Sequence, residues 1–113
     1  METKILKIDG KSLKLAVEIL KNDGVIGMPT ETVYGLAGVG TSSTAVRKIF
    51  EIKGRPSDNP LIAHVHKKFD LESLVKIEQP YVKKLIKKFM PGPLTLVFNS
   101  KNVVVEEAVC YAY

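Results

Sequence analysis

Two cations separated by a single glycine form the segment of this sequence that is best suited to chemistry. Lys53 and Arg55 flank Gly54, and Asn59 follows. Two fixed cations this close can converge on one phosphate group, to which Arg offers planar paired donors and Lys a compact point charge. Cations held in place also stabilise charge that builds up on phosphoryl oxygens. The segment predicts phosphate binding, although the end of a helix favours cations even without a ligand.

A second polar segment follows a short apolar run that ends at residue 29. Thr30, Glu31, Thr32 and Tyr34 supply hydroxyls, a carboxylate and a phenol within five residues. In α/β sheets, ligands bind where loops leave the carboxyl ends of strands. The segment therefore predicts a pocket for a small polar ligand, and the alternative is a turn that caps itself with its threonine side chains. Glu31 could orient a substrate amine, help to hold a magnesium ion, or form a salt bridge with Arg55.

A histidine pair lies in the next apolar run. His64 is inside the run Leu61–Val65, and His66 follows at the same parity. An inward His64 near Lys53 could bind a carboxylate or move a proton. A single histidine in a strand is more often a satisfied core residue. No cysteine or carboxylate cluster accompanies the two histidines, so the sequence predicts no metal site.

The composition is that of one basic globular domain. The chain has 113 residues, of which 45% are hydrophobic and 26% charged, and its formal net charge is +5. The positive excess favours an anionic partner such as a nucleotide or RNA. No apolar run approaches the roughly 20 residues that span a bilayer, and one cysteine without a secretory signal indicates the reducing cytoplasm. Neither GxxxxGK[ST] nor GxGxxG is present, so any nucleotide site must have another architecture.

Helical and strand patterns alternate along the chain, which predicts a single α/β domain with a mixed sheet. The expected strands span residues 4–8, 25–28, 61–65 and 94–98. The helices are expected to begin at Ser12, within Thr41 to Ser43, at Asp70 and at Pro80. Residues 30–40 and 99–102 are expected to be a loop and a turn, and residues 103–113 fit a strand or a helix.

Three of the expected helices are amphipathic. The apolar face of the first consists of Leu13, Ala16, Val17 and Leu20, and that of the second consists of Ala45, Val46, Ile49 and Phe50. The helix after Pro80 has an apolar face on one side, and on the other side it carries Lys83, Lys84, Lys87 and Lys88. This lysine face is either simply solvated or an RNA contact. The sequence thus leaves open a basic module that binds double-stranded RNA or tRNA.

Three blocks of the sequence, in order, resemble the YrdC-like family. They read MPTETVYGL at residues 28–36, KGRP with NPL at 53–56 and 59–61, and FMPGPLT at 89–95. The resemblance runs from about Leu13 to Phe98 and implies a twisted mixed α/β sheet with flanking helices around a basic concave cleft. Met90 stands where the family usually has Trp, and the Met side chain fills a similar apolar gap. Family members continue with an Arg-Pro block and a Ser-x-Asn motif, so residues 1–113 are expected to be one domain that is incomplete at its C-terminal end.

The resemblance implies a nucleotidyltransferase, L-threonylcarbamoyladenylate synthase. In this reaction L-threonine and bicarbonate or CO2 form a carbamate, which attacks the α-phosphate of ATP and yields threonylcarbamoyl-AMP and pyrophosphate. Mg²⁺ is expected to accompany the ATP. Partner proteins then move the threonylcarbamoyl group to an adenosine beside the anticodon of tRNA. With half of the site present, the chain is expected to bind nucleotide poorly, and an inactive truncated family member is an alternative.

The same resemblance implies roles for individual residues. The ATP phosphates are expected at Lys53, Arg55 and Asn59, with Lys53 and Arg55 as the catalytic cations. Thr32 and His64 are expected to bind L-threonine. The remaining pocket residues are expected to be Thr30, Glu31 and Tyr34.

Overall fold

The computed structural model describes residues 2–54, 61–66, 70–101, 108–109 and 111–112. Its helices are α1 (Gly10–Lys21), α2 (Ser43–Lys53) and α3 (Pro80–Phe89), with one 3₁₀ turn at Leu71–Ser73. Its strands are β1 (Ile26–Pro29), β2 (Tyr34–Ala37), β3 (Leu61–Ile62), β4 (Val75–Lys76), β5 (Leu96–Val97), β6 (Asn99–Ser100), β7 (Ala108–Val109) and β8 (Tyr111–Ala112).

The strands pair in both directions. β1 and β2 form an antiparallel hairpin in which Ile26 pairs with Ala37 and Pro29 with Tyr34. β3 runs parallel to β7, whereas β4 with β6 and β5 with β8 are antiparallel. The parallel pair joins distant parts of the chain, as a crossover connection requires. Helices and both kinds of pairing confirm the expected mixed α/β fold.

The core lies between α2 and the segments around β3 and β4. Val46, Phe50, Leu74 and Val75 form a buried cluster. Partly buried apolar side chains pack against this cluster: Leu61, Ala63, Val65, Leu71, Ile77 and Phe98. The buried stripe predicted for α2 is confirmed, since Ala45, Val46, Ile49 and Phe50 are all buried. The apolar face of α2 is therefore covered by the segments around β3 and β4.

Side chains and backbone conformation define the ends of α2. Ser42 is the N-cap, and its Oγ accepts a hydrogen bond from the Ala45 amide at 3.1 Å. This position lies within the predicted range. The helix ends at Gly54, whose φ of 59° is left-handed. Glycine adopts this conformation without the steric cost that a Cβ carries, and helices commonly end in this way.

The start of α1 differs from the prediction. Asp9, and not Ser12, is the N-cap: its Oδ1 accepts from the Ser12 amide at 2.8 Å, and the Ser12 Oγ accepts from the Asp9 amide at 2.9 Å. This reciprocal capping box lowers the pKa of Asp9, chiefly because the Ser12 backbone N–H stabilises the carboxylate. No residue of α1 is buried. The predicted apolar face is only partly covered, because Ala16 and Leu20 are half-buried whereas Leu13 and Val17 are exposed.

The junction between α1 and α2 is held by Asp23. Its Oδ1 accepts a hydrogen bond from the Ser42 Oγ at 2.6 Å, and its carbonyl oxygen accepts one from Lys48 Nζ at 2.9 Å. Asp23 has a φ of 58°, a left-handed conformation in which Asp is among the more tolerated residues. The end of α1 and the start of α2 are therefore tied together directly before β1 begins.

Several expected elements near the N-terminus were wrong. Residues 4–8 form no strand, and Ile5 is 96% exposed. β1 is largely exposed rather than buried. The expected loop at 30–40 contains β2, so the polar segment is the turn of a hairpin. A strand needs a partner for its backbone groups, and residues 4–8 have none in the described chain, whereas residues 34–37 pair with β1.

In the C-terminal half, the helix start at Pro80 is confirmed. Asp70 precedes only a 3₁₀ turn and makes no capping bond with its side chain. The expected turn at 99–102 is wrong at its start, because Asn99 and Ser100 pair with β4. The described residues of the ambiguous segment 103–113 are strands. No helix in the described ranges is long and apolar enough to cross a membrane.

Candidate functional site

A cavity of about 830 Å³ opens between the β1–β2 hairpin, α2 and the segment 61–65. This volume falls within the roughly 300–1,000 Å³ of small-molecule sites. Its polar lining among the described residues comes from Thr30, Glu31, Thr41, Lys53 and His64. Its apolar lining includes Val46 and Ile49, whose burial fixes the wall that α2 supplies. The arrangement suits a small polar ligand that rests on an apolar floor.

Lys53 reaches the cavity from the last position of α2. Its side chain is exposed, so the ammonium group remains hydrated and available to an anion. The left-handed Gly54 turns the chain immediately after it. Arg55 and Asn59, the other residues expected to bind phosphates, lie outside the described residues.

His64 lines the same cavity and is not part of the buried core. It is exposed, as is His66, whereas the alternate residues Leu61, Ala63 and Val65 pack against the core. Side chains that alternate along an extended segment point to opposite faces, and the apolar set takes the core face. The alternative of a core histidine is therefore wrong, and the cavity brings His64 together with Lys53.

The hairpin turn supplies the opposite rim of the cavity. Thr30 and Glu31 line it, whereas Thr32 and Tyr34 are exposed and are not among the described lining residues. The Thr30 hydroxyl bonds to the backbone of its own turn, at Thr32 and Val33. The self-capping alternative is thus what the turn displays at Thr30. Glu31, at the turn's apex, remains the carboxylate that faces the cavity.

Sequence reasoning missed the wall that connects the hairpin to α2. Residues 35–41 all line the cavity, and they contain three closely spaced glycines. A Cβ added at Gly38 would lie 3.2 Å from the Ala45 Cβ and 3.3 Å from the Ile49 Cδ1. Glycine at this position therefore lets the chain approach α2 closely. The glycine spacing was the available signal, but it matches no nucleotide-binding fingerprint.

The described residues contain no group of three or more His, Cys, Asp or Glu side chains that could hold a metal ion. Among the described residues that line the cavity, Glu31 supplies the carboxylate and Lys53 supplies the amine-bearing side chain. A carboxylate oxygen of Glu31 could coordinate a divalent cation that enters bound to phosphate groups, because Mg²⁺ uses few protein ligands when phosphates supply the others.

The chain matches the model of the Sua5/YciO/YrdC family, described as telomere recombination, over residues 18–111. It is 42% identical over 98 residues to a threonylcarbamoyl-AMP synthase of Pyrococcus abyssi and 43% identical over 96 residues to one of Bacillus subtilis. The human threonylcarbamoyl-AMP synthase is 34% identical over 89 residues. These matches take in 87%, 85% and 79% of this chain.

The structural matches also cover most of this chain. The crystal structure of P. abyssi Sua5 complexed with L-threonine has a TM-score of 0.83 and 37% sequence identity over 95% of this chain. A variant of P. abyssi Sua5 gives a TM-score of 0.84 over 94% of the chain. The chain spans about a third or less of these proteins: 29% and 28% of the P. abyssi and B. subtilis synthases, and 33% of the threonine complex.

Proposed function

This chain belongs to the Sua5/YciO/YrdC family, and we propose that it contributes one half of an L-threonylcarbamoyladenylate synthase site. The observation that carries the proposal is that Lys53, His64 and Glu31 line one cavity of about 830 Å³. Its homologues named threonylcarbamoyl-AMP synthase support the reaction class. The substrates proposed are L-threonine, bicarbonate or CO2, and ATP.

The cation at the end of α2 is proposed to receive the phosphates of ATP. Lys53 stands at the cavity edge on a helix that is anchored by its buried face. In the reaction, a carbamate oxygen of N-carboxy-threonine attacks the α-phosphorus and the bond to pyrophosphate breaks. Negative charge builds up on the departing pyrophosphate, and a fixed ammonium group stabilises that charge. Arg55 and Asn59 follow in the chain and are proposed to share this role, with Mg²⁺ entering on the ATP phosphates.

L-Threonine is proposed to lie between the hairpin and the segment 61–65. His64 offers a ring N–H to the substrate carboxylate, and Glu31 offers a carboxylate to the substrate amine. Thr32 is proposed to bind from the turn, and Tyr34 to border the pocket. The L-threonine complex of P. abyssi Sua5, whose fold this chain shares, supports this choice of substrate. The product is proposed to pass, in the cytoplasm, to partner proteins that modify tRNA.

Pyrophosphate release tests the proposal. A chimera that carries residues 18–111 of this chain in place of the matching segment of the P. abyssi synthase should release pyrophosphate only when L-threonine, bicarbonate and Mg·ATP are all present. The 113-residue chain alone should show weak or no turnover. A chimera that is folded by circular dichroism and binds neither ATP nor L-threonine would contradict the proposal.

A basic RNA-binding surface is the second candidate function. The lysines of α3 are exposed, and of these Lys83 is paired with Glu72 at 3.1 Å, which leaves Lys84, Lys87 and Lys88 on the face. Binding through them should weaken steeply with salt, because phosphate contacts release counterions. ATP and L-threonine should not compete. Filter binding of double-stranded RNA and of tRNA at two salt concentrations, with and without both substrates, separates this activity from the synthase site.

A further inference from the structure

The hydroxyl of Thr30 is fully engaged within the hairpin turn of residues 30–33. Its Oγ1 donates a hydrogen bond to the Val33 carbonyl oxygen. It also accepts from the Val33 amide at 3.2 Å and, at the longer distance of 3.4 Å, from the Thr32 amide. A threonine hydroxyl has one donor and two acceptor positions. All three are used, so this hydroxyl has no capacity left for a ligand, even though Thr30 lines the cavity.

The Thr30 hydroxyl lies just beyond the last pair of the hairpin, which joins Pro29 to Tyr34. It binds both backbone groups of Val33, the residue directly before Tyr34. One hydroxyl thus bridges the turn between residues 30 and 33.

The shape of the threonine side chain limits where that hydroxyl can point. Threonine is branched at Cβ, and its χ1 is therefore restricted. A Cβ built onto Gly35 would lie 3.7 Å from Thr30 Cγ2, so the methyl group is on the side of the turn that faces Gly35 while the hydroxyl binds Val33.

We propose that Thr30 is a positioning residue that holds the turn so that Glu31 faces the substrate in the cavity, without binding the substrate through its own hydroxyl. The ligand concerned is the L-threonine of the proposed function, on which this inference rests. That function assigns the direct hydrogen bonds of the turn to Glu31, which lines the cavity, and to Thr32, its exposed neighbour. Thr30 acts on them through the conformation of the backbone between Pro29 and Tyr34.

Three variants of the full chain test this role. Thr30→Val keeps the branched shape but removes the hydroxyl, whereas Thr30→Ser keeps the hydroxyl. Thr32→Val is the matched control, since it makes the same change two residues away. Two quantities are measured on each: amide hydrogen exchange at Val33 by NMR, and the Kd for L-threonine by calorimetry in the presence of Mg·ATP.

Thr30→Val should speed exchange at Val33 about fivefold or more and raise the Kd by a similar factor, as expected for the loss of a hydrogen-bonding group. Thr30→Ser should restore both quantities to within about twofold of the parent chain. Thr32→Val should raise the Kd while exchange at Val33 stays at the parent rate. This combination would assign a positioning role to Thr30 and direct contact with L-threonine to Thr32.

Weaker L-threonine binding by Thr30→Val with unchanged Val33 exchange would overturn the inference, because it would indicate direct contact. Faster Val33 exchange with an unchanged Kd would overturn it too, because the Thr30 hydroxyl would then stabilise the turn without affecting L-threonine binding. If neither the parent chain nor the chimera bound L-threonine, the proposed function would fail and the positioning role with it. Val33 exchange would still decide whether the Thr30 hydroxyl organises the turn.

Discussion

Helices α1 and α2 resemble each other in sequence but not in their packing. Both are capped by a side-chain oxygen at the N-terminus, and both have an apolar face at helical spacing. α2 buries four residues, whereas α1 buries none within the described chain. An apolar face therefore predicts which side of a helix can be buried, but burial itself depends on an element that lies opposite.

The difference matters for the site because its cation belongs to the packed helix. Lys53 ends α2, whose buried face fixes the helix against β3 and β4. α1 contributes no residue to the described cavity lining. The segment after α1 is tied to α2 by the Asp23 hydrogen bonds to Ser42 and Lys48. α2 therefore contributes both to the buried core and to the candidate site.

The largest expected effect is on the free energy of unfolding. Phe50→Ala removes a 7%-exposed ring from the core cluster and should cost about 3–5 kcal/mol. Leu13→Ala, at a 57%-exposed position of α1, should cost less than about 1 kcal/mol. Urea unfolding of both variants measures the difference. Equal losses would contradict the contrast between the helices.

The next effect concerns the rate of pyrophosphate release. Lys53→Ala in the chimera should lower kcat about 10²–10³-fold, because a charge-stabilising donor is lost. Its unfolding free energy should stay within about 0.5 kcal/mol of the parent, since the side chain is exposed. Arg47→Ala, an exposed change on the same helix, is the control and should leave kcat unaltered. Parent-like turnover in Lys53→Ala would reassign this residue to the surface.

Two glycine substitutions sharpen the comparison of the helices. Gly54→Ala places a Cβ at a φ of 59° and should destabilise the chain by about 1–2 kcal/mol. Gly10→Ala, in the first turn of α1 with open space around it, should be neutral or stabilise by up to about 1 kcal/mol. Thermal unfolding measures both. A loss at Gly10 that matched the loss at Gly54 would remove the conformational explanation.

The smallest effect is the pH dependence of the α1 cap. The pKa of Asp9 is lower in the folded chain than in the unfolded one, because the Ser12 amide donates to its carboxylate. The stabilising contribution is therefore present above the unfolded pKa and is lost as the pH falls through the folded pKa. In Asp9→Asn, which caps without titrating, α1 helicity followed by NMR should be less sensitive to acid. Identical acid profiles would place the pH dependence elsewhere.

The sequence predicts best where a local rule acts alone. Pro80 begins α3 and a hydroxyl in the predicted range caps α2, because these are properties of a few adjacent residues. β2 escaped prediction because the run Tyr34 to Ala37 becomes a strand only through pairing with β1. The Asp9 cap was missed because Ser12 is equally suited to capping, and only the reciprocal bond distinguishes the two.

The site shows the same division. The types and spacing of Lys53, Glu31 and His64 indicated polar chemistry, and the fold brings all three to one cavity. The exposure of His64 could not be predicted, because it depends on which alternate residues the core accepts. The use of the Thr30 hydroxyl within its own turn was available only as one of two alternatives, since both use the same atoms.

The most direct test of the central claim is an NMR titration of the ¹⁵N-labelled chain with L-threonine and Mg·ATP. We predict that amide shift changes concentrate at Met28, Thr30 and Glu31, at Lys53 and at residues 61–65, which line one cavity. Shift changes confined to the lysine face of α3, with none at Lys53 or His64, would contradict it.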